Sequence, residues 1–323
     1  MDKKTTIAIM QGKVNRTTVI YTEDGPYIRQ YMNRAVFGKS MSMIEENYRS
    51  LRAAYEKCVR LGITGGLLIP EWRFFKESGS YFRADGNGEY IREYPLIPAK
   101  ESSYPGSPKE YGRALARLHR ILDEVEGEMQ DVIPHFHDIV YYEEEYHRVR
   151  KDETHRRGFV EDTDFERELE EVLESRRASV GNLFEKGNKI PRKVIHGDTK
   201  WTNFLMDEEG KVIAMLDLDT LSMGERITDL ADALRSLCAL HPAEERKTIT
   251  REFMDGYIGE GFVTKEEISV DQLEIAQERL YLELALRYYT DHLSGNRYFP
   301  VIEDGQNLKR AKENLECACQ MHL

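Results

Sequence analysis

Apolar and polar positions change period along this chain. The first third is built of short β-rich runs, Thr5–Ile9, Thr17–Tyr21 and Tyr27–Met32. Asp24-Gly25 between the second and third is a hairpin signal, because these residue types tolerate the positive φ of a tight turn. Gly12 falls in the turn between the first two runs. The period then becomes helical. Ile44, Tyr48, Leu51, Tyr55 and Cys58 recur at intervals of 4, 3, 4 and 3, which places them on one helix face. Ser42 with Glu45 has the capping-box pattern at its start, and Gly62 suits its C-terminal turn. Two further strands, Ser80–Ala84 and Glu89–Tyr94, flank Asp85-Gly86-Asn87-Gly88. The order β-β-β-α-β-β predicts a small α+β lobe with an antiparallel sheet and one helix.

The stretch 99–108, rich in proline and serine, ends this lobe and divides the chain into residues 1–98 and 99–323. Beyond it the pattern is mainly helical. Ser107-Pro108-Lys109-Glu110 is a second capping box with proline at the first helical position, ahead of the stripe Tyr111, Leu115, Leu118, Leu122 and Val125. Helices are also predicted over Tyr141–Arg150, Asp164–Glu185, Thr228–Leu240, Asp271–Leu293 and Asp304–Gln320. Between them Val194–Asp219 reads as a compact β segment.

Charge narrows the function classes. The 323 residues carry 58 acidic and 46 basic side chains, a net charge of −12, so no nucleic-acid partner is expected. No apolar run reaches the roughly 20 residues of a membrane span, and the first residues lack the apolar core of a leader. Four cysteines at unpaired positions read as reduced thiols of a cytoplasmic protein.

The chemistry concentrates in Val194-Ile-His-Gly-Asp-Thr-Lys-Trp-Thr-Asn-Phe-Leu-Met-Asp207 and Lys211-Val-Ile-Ala-Met-Leu-Asp-Leu-Asp-Thr220. A strand ends at Ile195 and a polar turn follows. Asn203 stands five residues after Asp198, and a strand-turn-strand unit delivers Asp217 at its end. An Asp, an Asn and a second Asp from neighbouring loops are the set that phosphoryl transfer from ATP requires. One carboxylate takes the proton of the attacking hydroxyl, while an amide oxygen and the other carboxylate hold Mg²⁺. Read blandly, the same residues are polar turns of a hairpin. No G-x4-G-K-[ST] phosphate loop occurs.

At these residues the chain resembles the aminoglycoside phosphotransferase/choline kinase family, relatives of the protein kinases, which use His-Gly-Asp-x4-Asn followed by an Ile/Leu-Asp segment. The resemblance implies a bilobal protein-kinase-like fold, with ATP between a strand-rich lobe and a larger helical lobe. It makes Asp198 the catalytic base, Asn203 and Asp217 the Mg²⁺ ligands, and His196 a support of the loop. Asp219 assists the metal site, and Asp229 at the start of a helix buttresses the catalytic loop. The Tyr94–Ile97 connector, Tyr94 and Leu96 in particular, would meet the adenine. A narrower resemblance, to sugar kinases that act on the anomeric hydroxyl of N-acetylhexosamines, runs over nearly the whole chain. It is carried by Tyr27-Ile-Arg-Gln-Tyr-Met-Asn33, Ile133-Pro-His-Phe-His-Asp138, Arg287-Tyr-Tyr-Thr-Asp-His-Leu293 and Gly295-Asn-Arg-Tyr-Phe299. It implies a small-molecule acceptor, a sugar, with Arg287 and Tyr298 binding it; the oligomeric state is monomer or homodimer.

The departures are specific. The glycine-rich nucleotide turn is reduced to Gln11-Gly12-Lys13. Gln30 stands where the third strand of protein kinases has lysine, with Arg29 next to it, so Lys200 or Lys13 is left to meet the phosphates. Two competing readings stay open: a different hydroxyl acceptor (choline, homoserine, an aminoglycoside or another sugar), or a nucleotide-binding protein without turnover. Arg287 also reads as a helix-surface arginine paired with Glu283, Tyr298 as an anchor under a loop, and His135-x-His137-Asp138 as a helix cap.

Overall fold

The computed structural model describes residues 7–11, 15–99, 106–152, 162–182, 192–262, 268 and 270–322. Strands β1 (Ile7–Gln11), β2 (Arg16–Thr22), β3 (Gly25–Tyr31), β4 (Arg83–Ala84) and β5 (Tyr90–Pro95) form one antiparallel sheet in the order β1-β2-β3-β5-β4. The Asp24-Gly25 turn closes the β2–β3 hairpin with Thr22 opposite Gly25, and Gly25 has φ of 112°. β4 is shorter than predicted. Phe75 and Ser80 bridge to each other, and the Ser80 hydroxyl accepts from the Phe82 amide, so a turn occupies the first residues of the expected strand.

A short helix α1 (Arg34–Phe37) leads into α2 (Met41–Leu61), which buries Ile44, Tyr48, Leu51, Tyr55 and Cys58 as the spacing predicts. Its C-terminus is closed by Gly62 at φ 68°. The capping box does not form: Ser40 is the N-cap, without a side-chain cap bond, and its hydroxyl donates to the Val132 carbonyl at 2.8 Å. Glu45 is drawn away to Arg49 and Ser80. Likewise α3 (Pro108–Leu122) starts after Ser107 without a side-chain cap, and Glu110 pairs with Arg113.

The chain separates into two compact units. The first comprises Met1–Ile133, Val194–Met223 and Glu252–Phe262; the second comprises Pro134–Lys193, Gly224–Arg251 and Val263–Leu323. The β segment predicted over 194–219 resolves into β6 (Lys193–Ile195), β7 (Phe204–Met206), β8 (Val212–Met215) and β9 (Ser222–Gly224), paired as β6–β9 and β7–β8. In the first unit α3 meets the C-terminal part of a helix absent from the sequence reading, α7 (Arg246–Gly259). The contact is backbone to backbone. A Cβ on Gly112 would stand 2.0 Å from the Phe253 carbonyl oxygen, and one on Gly256 would stand 2.0 Å from that of Lys109.

The second unit is helical: α4 (Ile139–Lys151), α5 (Thr163–Asn182), α6 (Arg226–Cys238), α8 (Val270–Leu293) and α9 (Gln306–Cys319). Its core joins Tyr146, Leu169, Leu286, Tyr289 and Leu315, from α4, α5, α8 and α9, in one apolar cluster. Asp138 caps α4 by accepting the Tyr141 amide, and His135 bonds Asp138, which is the capping role expected of that motif.

Candidate active site

β6 delivers His196 into the interior, and Gly197 follows at φ 82°, a turn that spares Asp198 the left-handed region. The buried His196 ring spans two loops. Its Nε2 donates to the Leu216 carbonyl at 2.9 Å, and its Nδ1 accepts the Asp198 amide at 3.2 Å. The His196 carbonyl accepts the Thr220 hydroxyl at 2.8 Å. This ring is thereby fixed as a bridge between the Asp198 turn and the turn after β8.

The hairpin β7–β8 places the next two residues. Phe204 faces Met215 in register, and beyond that pair the Leu216 amide donates to the Asn203 carbonyl at 2.7 Å. Asn203 and Asp217 are therefore presented at the same end of one hairpin. Asn203 gives its amide hydrogens to the Asp198 carbonyl at 2.7 Å and the Asp198 carboxylate at 3.2 Å. Asp217 sits at φ 59°, ψ 60°, the left-handed region that few non-glycine residues enter and that Asp and Asn tolerate best.

Lys200 joins the two carboxylates: its ammonium is hydrogen-bonded to Asp198 and lies 3.8 Å from Asp217. The electrostatics split the pair. Burial favours the neutral acid at Asp198, but the Lys200 ammonium, His196 and the Asn203 amide outweigh it and hold the carboxyl below its ordinary value. Asp217 is pushed up to about 6 by burial, and Lys200 only partly offsets the added repulsion of Asp219 and Asp198. One acid is ionised at neutral pH. The other is a carboxylate that a nearby cation would relieve.

That donor chemistry fits Mg²⁺. It is a hard ion that takes oxygen ligands, and it is usually held by one or two carboxylates with phosphates and water completing the shell. Asn203 and Asp217 supply two oxygens, and among the described residues no cluster of three His, Cys, Asp or Glu side chains forms a closed metal cage.

The nucleotide-side residues fare differently. Gly12 and Lys13 lie outside the described residues. Arg29 and Gln30 point to opposite faces of the sheet, Arg29 pairing with Glu93 while the Gln30 oxygen accepts from Arg92. Tyr94 is buried at the end of β5, pairing in register with Ile28. Leu96 is exposed, and its amide is already given to the Pro26 carbonyl at 3.0 Å. The sequence reading missed Arg92 and Asn15, both buried and both bound to Asp219. The available signal was Ile91-Arg-Glu-Tyr94, a strand whose charged residues had no exposed face to occupy.

In the second unit Arg287 and Tyr298 are neighbours. Arg287 pairs with Glu283 at 3.1 Å as expected, but its side chain is only 11% exposed rather than on a helix surface. Its guanidinium lies 4.9 Å from the Tyr142 ring and 5.6 Å from that of Tyr298. The loop bearing Tyr298 is gathered by Asp291, which accepts the amides of Arg297, Tyr298 and Phe299 at 2.8–2.9 Å and the Asn307 side chain at 3.1 Å. The His137 Nδ1 lies 3.2 Å from the Glu283 carboxylate. Asp229 is fully buried in the first turn of α6.

A loop carboxylate and a lysine thus meet an Asn and an Asp presented at one end of a β-hairpin. Residues 78–259 match the phosphotransferase enzyme family, and the chain belongs to that family. Solved structures agree on the fold. An amicoumacin kinase in complex with AMP-PNP, Ca²⁺ and Ami superposes with a TM-score of 0.61 at 14% identity, over 96% of this chain and 88% of that one. An aminoglycoside phosphotransferase from Alicyclobacillus acidocaldarius gives 0.60 at 13%, over 99% and 89%. Plasmodium vivax ethanolamine kinase gives 0.60 at 12%, over 99% and 83%. Among the described residues no helix is long and apolar enough to cross a membrane.

Proposed function

We propose that this protein transfers the γ-phosphoryl group of ATP to the anomeric hydroxyl of an N-acetylhexosamine or a related sugar. The observation that supports the transfer chemistry is the cluster in which Asp198 is hydrogen-bonded to Lys200 and Asn203 while the Lys200 ammonium lies 3.8 Å from the Asp217 carboxylate. Asp198 orients the acceptor hydroxyl and takes its proton, for which an ionised carboxylate is needed at neutral pH. The Asn203 oxygen and the Asp217 carboxylate would hold Mg²⁺, which when bound would supply charge neutralisation to the phosphates. Lys200 balances the two carboxylates and is the cation beside them that would meet the phosphates. Residues 1–98 serve as the nucleotide-binding lobe, with Gly12, Lys13 and Gln30 toward the phosphates and Tyr94 and Leu96 toward the adenine; residues 99–323 supply the catalytic loop and the acceptor side.

The sugar assignment rests on the resemblance along Tyr27–Asn33, Ile133–Asp138 and Arg287–Phe299 to N-acetylhexosamine 1-kinase. Arg287 with its ring of Tyr142 and Tyr298 supports it, since a fixed guanidinium and phenol suit hydroxyl-rich ligands. A second reading keeps the chemistry and changes the acceptor to an amino alcohol or an antibiotic. The similarity to ethanolamine and amicoumacin kinases favours it.

Mg²⁺- and acceptor-dependent ADP release separates these readings. The acceptors are N-acetylglucosamine, N-acetylgalactosamine, unacetylated hexoses, choline, ethanolamine, homoserine and an aminoglycoside. Release with N-acetylhexosamines, lost in Asp198→Asn, supports the proposal. Release only with another acceptor transfers the assignment to it. Nucleotide binding without release for any acceptor overturns the enzymatic reading.

A further inference from the structure

Gln30 occupies the strand position where protein kinases carry a cation, and its partner across the ladder is Arg92 of β5. The Gln30 carboxamide oxygen accepts from Arg92 Nε at 3.1 Å and Nη2 at 2.6 Å. The other edge of the same guanidinium forks onto Asp219, with Nη2 to Oδ2 at 3.1 Å and Nη1 to Oδ1. Its flat face covers the Trp72 indole at 4.0 Å. Asp219 takes another hydrogen bond from Asn15 at 3.1 Å, and Asn15 in turn accepts the Asn33 amide at 3.0 Å. Arg92 and Asp219 are 1% and 0% exposed. Every contact in this network lies within the first compact unit.

Asp219 is two residues beyond Asp217, in the same turn. The ends of that turn are held by other contacts: the Leu216 amide to the Asn203 carbonyl, the His196 ring to the Leu216 carbonyl, the Thr220 hydroxyl to the His196 carbonyl, and the Asn47 side-chain amide of α2 to the Leu221 carbonyl at 2.9 Å. Asp219 is the residue that fastens it to Arg92 of β5. A buried ion pair has to recover the desolvation of both charges and often adds little stability over apolar residues of the same shape. A bidentate, fully partnered pair does restrict direction, because the planar guanidinium fixes the carboxylate in two dimensions.

We propose that Arg92 is the positioning residue of the metal-ligand turn. From β5 it grips Asp219, and through Asp219 it holds the turn in which Asp217 keeps its left-handed backbone, so that the Asp217 carboxylate would be set for Mg²⁺. This rests on the phosphotransferase reading above.

The test uses the full chain and binding of a non-hydrolysable ATP analogue by calorimetry across a Mg²⁺ series, with melting curves alongside. Arg92→Met raises the Mg²⁺ concentration needed for half-maximal nucleotide binding by roughly 10–100-fold, the range for loss of a group that orients a metal ligand. Arg92→Lys, which keeps the charge without the fork, falls between that variant and wild type. The paired change Arg92→Met with Asp219→Leu removes both buried charges, so it melts near wild type yet keeps the raised Mg²⁺ requirement. Wild-type Mg²⁺ dependence in a folded Arg92→Met or paired variant overturns the inference and leaves Arg92 a packing element. Failure of wild type itself to bind Mg²⁺-nucleotide instead removes the phosphotransferase reading, and this inference with it.

Discussion

Asn203 donates to Asp198 twice, to the carbonyl at 2.7 Å and to the carboxylate at 3.2 Å. One side chain thus ties the backbone and the carboxylate of Asp198 together. In the proposed reading, proton acceptance at Asp198 and metal binding at Asn203 would be joined by a single amide.

Asp198→Asn keeps the size of the side chain and removes its ability to accept a proton. Turnover is expected to fall by roughly 10²–10⁴-fold, the usual worth of a general base. Nucleotide affinity, measured by calorimetry, stays near wild type. A variant that turns over normally would remove Asp198 from the reaction.

Lys200→Met tests the balance of charge. With the ammonium gone, burial dominates at Asp198 and its pKa rises. The acidic limb of the kcat/KM profile then moves to higher pH, and the maximal rate falls. A profile whose acidic limb stays in place would show that Lys200 does not set the ionisation of the base.

Asp217, raised to about 6, gives a sign for metal binding. Above that pH the carboxylate is already ionised and affinity for Mg²⁺-nucleotide is flat. Below it each binding event displaces a proton, so affinity drops by about tenfold per pH unit. For folding the sign is opposite. The raised carboxyl costs stability above its folded pKa, and that cost is relieved as pH falls from about 6 toward the unfolded value of 3.8. Titration calorimetry at several pH values checks the first effect and acid-side melting the second.

Gly112→Ala brings a methyl group against the Phe253 carbonyl where only 2.0 Å is open. The helices α3 and α7 must part, which costs about 1–3 kcal/mol, and the same holds for Gly256→Ala. Chemical denaturation measures it. Full stability in either variant would show that the crossing relaxes freely.

Asp291→Ala takes the acceptor from three backbone amides at once and removes one of the bonds of the Asn307 side chain. The loop carrying Tyr298 loses its anchor, with an expected stability loss of about 2–4 kcal/mol and a raised KM for the acceptor at little change in KM for ATP. Equal effects on both KM values would place the loop away from the acceptor.

Local order determined much of this protein. The α2 stripe follows from side-chain periodicity, Gly25 and Gly62 from their positive φ, and the strands around Asp24-Gly25 from turn chemistry, all of them interactions between near neighbours. The spacing from His196 to Asp217 was equally legible, because one loop and one hairpin carry all its members. The predicted capping boxes failed because Glu45 and Glu110 found other partners in the folded chain. Helix α7 went unread although Ile249, Phe253 and Tyr257 lie on one buried stripe; its glycine contact with α3 is set by helices far apart in sequence. Only tertiary structure decided that Arg92 stands beside Gln30 and grips Asp219, 127 residues away. Strand pairing and burial determine which side chain can supply a charge at a given point in space, and a linear pattern does not contain that distance.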